Sequence, residues 1–212
     1  MNGFGTSLQV EVVRERLRAA GNEVGVRAAP ILVRGDRDLN PTLEPRSPLV
    51  PAAVLVPLVQ REEALTVLLT RRTDHLADHA GQISFPGGRI EPFDRDPIAA
   101  ALREAQEEIG LDEATIEIAG RLDTYQTGTG FEVTPVVGLV TPPVDLSPDP
   151  IEVAEVFEVP LAFILDPANH QRETRHYRGV ERRFWVLPYR HYYIWGATAA
   201  MLVNLSEVLR ET

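Results

Sequence analysis

Residues 81–111, GQISFPGGRIEPFDRDPIAAALREAQEEIGL, constrain this chain more than any other stretch, because they set a glycine turn, a helix and an acidic surface together. The helix limits follow from local chemistry. Asp96 suits an N-cap, Pro97 the first helical position, and Gly110 a C-terminal cap. Between them Ile98, Ala101, Leu102, Ala105 and Ile109 recur at helical spacing and form one apolar stripe that needs a core to face. The other face is acidic. Glu104 and Glu108 project about 40° from each other at roughly 100° per residue, with Glu107 close beside them.

Like charges so spaced destabilise an isolated helix, and a hard cation would remove the conflict. Magnesium or manganese takes oxygen ligands and bridges carboxylates to substrate phosphates. A bare E-x-x-E-E is more often solvated charge on an amphipathic helix. The preceding Phe85-Pro86-Gly87-Gly88 shifts that balance, since paired glycines let a backbone carbonyl or amide approach an ion or phosphate closely.

These residues resemble the box of the Nudix hydrolases, G-x5-E-x7-R-E-U-x-E-E-x-G-U with U aliphatic. Arg103-Glu104-Ala105-Gln106-Glu107-Glu108-Ile109-Gly110-Leu111 matches its second half, Ala105 being small for the first aliphatic position. In the first half Asp94 stands where Glu is expected, and the spacer to Arg103 is one residue longer. Upstream, Leu68-Leu69-Thr70-Arg71-Arg72-Thr73 leads through His79-Ala80-Gly81-Gln82 to the Phe85–Gly88 turn. This is similar to the signature of the coenzyme A pyrophosphatase branch, L-L-T-x-R-[SA]-x3-[RK]-x3-G-x3-[FW]-P-G-G, with Thr73 and Ala77 as departures.

The resemblance, which extends by pattern over residues 51–212, implies an α/β (α+β) fold, the Nudix-type α/β/α sandwich with a mixed β-sheet. It implies Mg²⁺- or Mn²⁺-dependent hydrolysis of the pyrophosphate bond of coenzyme A and its derivatives, giving 3′,5′-ADP and 4′-phosphopantetheine or its acyl form. Glu104, Glu107 and Glu108 are then the expected metal ligands, with a Gly88 or Gly87 carbonyl. Arg103 is expected to orient a box carboxylate, and Arg71, Arg72 and Gly87 to contact substrate. The base is Glu104 or an acid from a later loop, for which Glu152 and Glu155 are candidates. The alternatives are hydrolysis of ADP-ribose, NADH or nucleoside triphosphates, since the box encodes diphosphate chemistry and not the leaving group, and a non-catalytic nucleotide sensor. Three intact box acids argue against the sensor, and the lack of Cys argues against the prenyl diphosphate isomerases of the same fold.

Composition narrows the classes further. The chain has 212 residues, 44% of them hydrophobic, enough for one substantial core. With no Cys, disulfides and thiolate metal sites are excluded, and a reducing cytoplasm is the expected setting. A net charge of −10 argues against a nucleic-acid footprint, so an anionic substrate must be met locally by metal and a few arginines. No run approaches the roughly 20 apolar residues of a membrane span.

Residues 7–20 alternate apolar and charged positions at helical spacing, ahead of a stop at Gly21. This N-terminal helix is expected to pack on the main domain or on a partner chain, and a homodimer is the assembly considered. Prolines recur from residue 27 to 51, which predicts an irregular, extended connector in region 1–50 and a Nudix domain over 51–212. Strands are expected at 52–59, 65–70, 115–126, 132–141 and 152–160, a short helix at 161–165, and a hairpin of 173–178 with 182–188 over Gly179. A C-terminal helix is expected over 199–209, with Trp195 read as core rather than as an adenine platform. His75 and His79 flank a polar loop and receive no catalytic role.

Overall fold

The structure, a computed structural model, describes residues 10–20, 32–44, 46–74, 80–177 and 179–210. The start of the first helix at residue 7, its stop at Gly21, and His75, Ala77 and His79 lie outside the described residues. In chain order the elements are α1 (Val10–Ala19), β1 (Val33–Gly35), β2 (Val50–Gln60), β3 (Leu65–Arg72), β4 (Ile83–Ser84), β5 (Gly87–Arg89), α2 (Pro97–Ile109), β6 (Ile116–Arg121), β7 (Thr124–Gln126) and β8 (Phe131–Val140). They continue with β9 (Val153–Pro160), α3 (Leu161–Leu165), β10 (Gln171–Tyr177), β11 (Val180–Tyr189), β12 (Tyr192–Trp195) and α4 (Gly196–Arg210).

The apolar run of β2 sets the layering. Ala52, Val56 and Leu58 point to one face and Ala53, Leu55 and Val59 to the other, all buried. A strand covered on both faces reads as a continuous hydrophobic stretch rather than an alternation. On the first face lie Val13 and Leu17 of α1, Leu161 and Ile164 of α3, and Ala199, Leu202 and Leu205 of α4. On the second lie Ala101, Leu102, Ala105 and Ile109 of α2, the stripe read from the sequence. The result is a three-layer α/β/α sandwich.

The sheet is mixed and has nine strands, in the order β1-β7-β8-β2-β3-β4, with β5, β6 and β9 paired to β2, β8 and β3. Strands β2 and β8 run parallel from Val50↔Phe131 to Val59↔Val140, and β3 runs antiparallel to β2. A separate antiparallel sheet, β10-β11-β12, carries the expected hairpin over Gly179, whose φ of +78° is a conformation glycine adopts without strain.

Four expectations are corrected. Residues 33–35 are not irregular connector but a strand, paired parallel to β7 from Val33↔Thr124 to Gly35↔Gln126. A Cβ at Gly35 would lie 2.6 Å from the Gln126 carbonyl oxygen, so glycine permits that close pairing. Val13 and Leu17 of α1 are also buried in the common core, the first of the two packings expected for that helix. Residues 115–126 form two strands, because Asp123 turns away to give its N–H to the Asn204 side chain (3.1 Å) and its carboxylate to Arg34 (2.7 Å). The glycine turn contributes strands β4 and β5. Finally, Trp195 is only partly buried and stands at an angle to Phe184, 5.4 Å away between ring centroids.

Candidate active site

Helix α2 is anchored as its sequence implies. Asp96 Oδ1 accepts the Ala99 N–H at 2.8 Å, Pro97 opens the helix, and Gly110 closes it at φ +67°. Its last carbonyls are not left to water. Glu108 O and Ile109 O accept the N–H groups of Asp149 (2.9 Å) and Ser147 (2.8 Å). The loop so fastened runs on to Glu152, whose carbonyl accepts the Thr73 N–H (2.9 Å), while Thr73 Oγ1 donates to Ile151 O (2.7 Å). Helix α2, the loop before β9 and the end of β3 are thereby tied at one point.

The glycine turn lies over the acids. The Gly87 N–H donates to Glu108 Oε2 at 3.3 Å. A Cβ on Gly87 would lie 2.5 Å from Ala53 O, and one on Gly88 would lie 2.6 Å from the Glu104 carboxylate. Any larger residue would push either the turn or the carboxylate aside.

Two arginines divide the carboxylates. Arg103 donates to both oxygens of Asp94 (3.0 and 2.9 Å), to Glu104 (2.8 Å), to Glu107 (3.0 Å) and to Arg89 O (3.1 Å). All its directions are used, and it holds the Asp94 carboxyl below the usual range. Arg72 is different. Its Nη atoms stand 3.8 Å from Glu108 and 3.8 Å from Glu152, beyond hydrogen-bond reach, and its buried Nε has no hydrogen-bond partner among the described residues. Glu108 is 6% exposed, and burial pushes its carboxyl up to about 8 despite Arg72 and the Gly87 N–H. Burial also raises Glu104, against the pull of Arg103.

Among the expected site residues, the structure brings together Arg103, Glu104, Glu108, Gly87, Gly88, Arg72 and Glu152. It does not bring Arg71 or Glu155. They pair with each other at 3.2 Å on the other face of β3, and Glu155 also accepts the Tyr192 hydroxyl at 2.6 Å. Glu107 shares the helix with Glu104 and Glu108 but not their focus, since its side chain is 59% exposed and turned to Arg103. Among the described residues no three His, Cys, Asp or Glu side chains converge closely enough to enclose a cation. Glu104 and Glu108 nevertheless suit a hard one, being oxygen donors with burial opposing their charge and a side-chain-free turn beside them.

Sequence reasoning treated Asp94 only as a stand-in in a pattern, yet its side chain is the most buried partner of Arg103. The roles of Thr73 and Tyr192 had no local signal, because each depends on a contact between segments far apart in the chain.

Known proteins of one family resemble this chain in sequence. The Nudix domain family matches residues 49–182. The uncharacterized Nudix hydrolase NudL of Enterobacter sp. (strain 638) is 43% identical over 155 residues, 73% of this chain and 80% of that one. NudL of Cronobacter sakazakii is 44% identical over the same length and the same shares. Among solved structures, a C. elegans Ap4A hydrolase binary complex aligns with a TM-score of 0.45 at 23% identity, over 53% of this chain and 81% of that one. The domain match and the two NudL relatives show that this chain belongs to the Nudix family, whose hydrolases act on nucleoside diphosphate derivatives and generally use divalent cations such as Mg²⁺ or Mn²⁺.

Proposed function

We propose that this chain hydrolyses the diphosphate bond of coenzyme A and its derivatives, releasing 3′,5′-ADP and 4′-phosphopantetheine or its acyl form, in a cytoplasmic setting that the absence of Cys supports. The observation that carries the reading is where the signature of residues 68–88 leads. Its strand and its turn are joined by Thr70↔Ser84 and by the Arg72 N–H on Gln82 O (2.9 Å), and both arrive at Glu108, through Arg72 and through the Gly87 N–H.

Glu104 and Glu108, with Glu107 and a Gly88 carbonyl beside them, would hold the divalent cation, which when bound neutralises charge on the diphosphate and lowers the pKa of a coordinated water. Arg103 fixes the Glu104 carboxylate, and the Gly87 N–H fixes that of Glu108. The unsatisfied Nε of Arg72 is a buried donor for an anionic oxygen of the substrate. As a water oxygen attacks phosphorus and the bridging P–O bond breaks, Glu152 accepts the water's proton, with Glu104 as the other candidate. Glu152 is favoured over Glu155 because only Glu152 shares Arg72 with Glu108.

The test is a substrate panel with Mg²⁺ and with Mn²⁺, products separated by chromatography. Coenzyme A and its thioesters are expected to give the highest kcat/KM. Preference for ADP-ribose, NADH or a nucleoside triphosphate would replace this substrate assignment, and no turnover of any member would favour a sensor.

A further inference from the structure

On the face of β3 opposite Glu108, a cavity of about 580 Å³ opens between the end of that strand and β12, lined by Arg71, Gln82, Glu155, His191, Tyr192 and Trp195 among others. Its size is that of a small-molecule site. Its walls are set by neighbours. Tyr192 lies between Phe157 (centroids 3.6 Å apart, planes 7° apart) and His191 (4.0 Å, 38°), so both its faces are covered, and Trp195 is held at 65° to Phe184. Arg71 is aimed rather than used up. Its Nε meets Glu155 Oε2 at 3.2 Å, Glu155 Oε1 takes the Tyr192 hydroxyl, and the terminal nitrogens of Arg71 have no hydrogen-bond partner among the described residues.

An indole wall beside a guanidinium with open donors is the chemistry that receives a planar base and a phosphate: Trp195 stacks the base, and the arginine fork takes anionic oxygens. We propose that this cavity is a second binding site, for a purine nucleotide, on the other side of the sheet from the carboxylates. It is distinct from the diphosphate site because consecutive residues Arg71 and Arg72 leave β3 on opposite faces, Arg71 toward Glu155 and Arg72 toward Glu108. It does not rest on the coenzyme A assignment, since a nucleoside monophosphate satisfies it as well as a larger nucleotide.

The chain has two tryptophans, so Trp185→Phe leaves Trp195 as the single indole reporter. Adenosine 5′-monophosphate, which has no diphosphate bond to cleave, is titrated in EDTA while Trp195 fluorescence is followed. A saturable change is expected. Adding Arg71→Gln should weaken the affinity by about 10-fold or more, Arg71→Lys should retain part of it, and Glu108→Gln should leave it within about twofold. Circular dichroism and thermal melts confirm that each variant is folded. No saturation by about 10 mM, an unchanged affinity in Arg71→Gln, or a loss in Glu108→Gln would each overturn the second site, the last by placing the nucleotide at the carboxylates.

Discussion

Arg71 and Arg72 are neighbours at the end of one strand, yet their surroundings are opposites. Arg71 makes a 3.2 Å hydrogen bond to Glu155, and that carboxylate is completed by the Tyr192 hydroxyl, which with Arg71 holds it below the usual range. Arg72 stands 3.8 Å from two carboxylates and bonds to neither, and one of them, Glu108, is pushed up to about 8 by burial. On one face the charges are matched by the protein alone. On the other, the fold maintains a mismatch by rigid backbone ties, with the helix end bound to residues 147 and 149 and Thr73 bound to residues 151 and 152. Unsatisfied buried charge is costly, so a ligand that completes it is the reason to expect chemistry there.

The sharpest break of this contrast is to remove charge on the mismatched face. Glu108→Gln should lower kcat by at least about 10²-fold with the fold intact, because the lost oxygen stabilises charge mainly in the transition state. Near-parental turnover at saturating Mg²⁺ would remove Glu108 from the metal site. Glu152→Gln should follow, with a loss of about 10²-fold that lies in kcat and flattens the acidic limb of the pH–rate profile, as expected for a general base. A change confined to KM would make Glu152 a binding residue.

The same mismatch predicts a pH dependence in EDTA. Burial raises the Glu108 carboxyl from 4.5 in the unfolded chain to about 8 in the folded one. Between those values the folded state keeps a proton that the unfolded state has released, so this group's contribution to stability falls as pH rises, by up to about 1.4 kcal/mol per unit. Thermal melts of the parent and Glu108→Gln should therefore diverge from pH 5 to pH 8, the parent losing several degrees relative to the variant. Saturating Mg²⁺ at pH 8 should restore the parent by mass action. Parallel melting curves across this range would mean that Glu108 is not held protonated.

Substrate recognition tests the phosphate side of the contrast with a smaller effect. If the 3′-phosphate of coenzyme A meets a cation, dephospho-coenzyme A should have a kcat/KM about 10-fold lower. Equal use of both would leave the coenzyme A assignment resting on the sequence signature alone.

Helix α2 was legible in the sequence because each of its determinants is local: Asp96, Pro97 and Gly110 act within a few residues, and the apolar stripe needs only a period. The acids were legible as residues but not as positions. That Glu107 turns to Arg103 while Glu108 is buried depends on where the glycine turn and Arg72 come to rest, which is set by pairing β5 with Ala52–Val54 and β3 with β9. Strand β1 was hidden for a similar reason. Three residues carry no usable alternation, and their stability comes from β7 and from Asp36, which accepts the Tyr125 hydroxyl (2.6 Å) and the Gly128 N–H (2.6 Å). Choosing Glu152 over Glu155 needed the register of β9, which slips against β3 between Arg71 and Arg72 and so sends the two acids to different arginines.

That slip also sets the smallest expected effect. Glu155 is three residues beyond Glu152 and equally acidic, but its carboxylate already serves Arg71 and Tyr192 on the far face. Glu155→Gln keeps an acceptor for the Tyr192 hydroxyl and removes only the charge opposite Arg71. A partly exposed ion pair of this kind contributes about 0–1 kcal/mol, so the variant should melt within a few degrees of the parent. Its kcat with coenzyme A should stay within about threefold, because nothing on the Arg72 face changes. A kcat loss comparable to that of Glu152→Gln, with the melt unchanged, would mean that the two faces of β3 act as one site, and the division between matched and mismatched arginines would fail as a guide to where the reaction occurs.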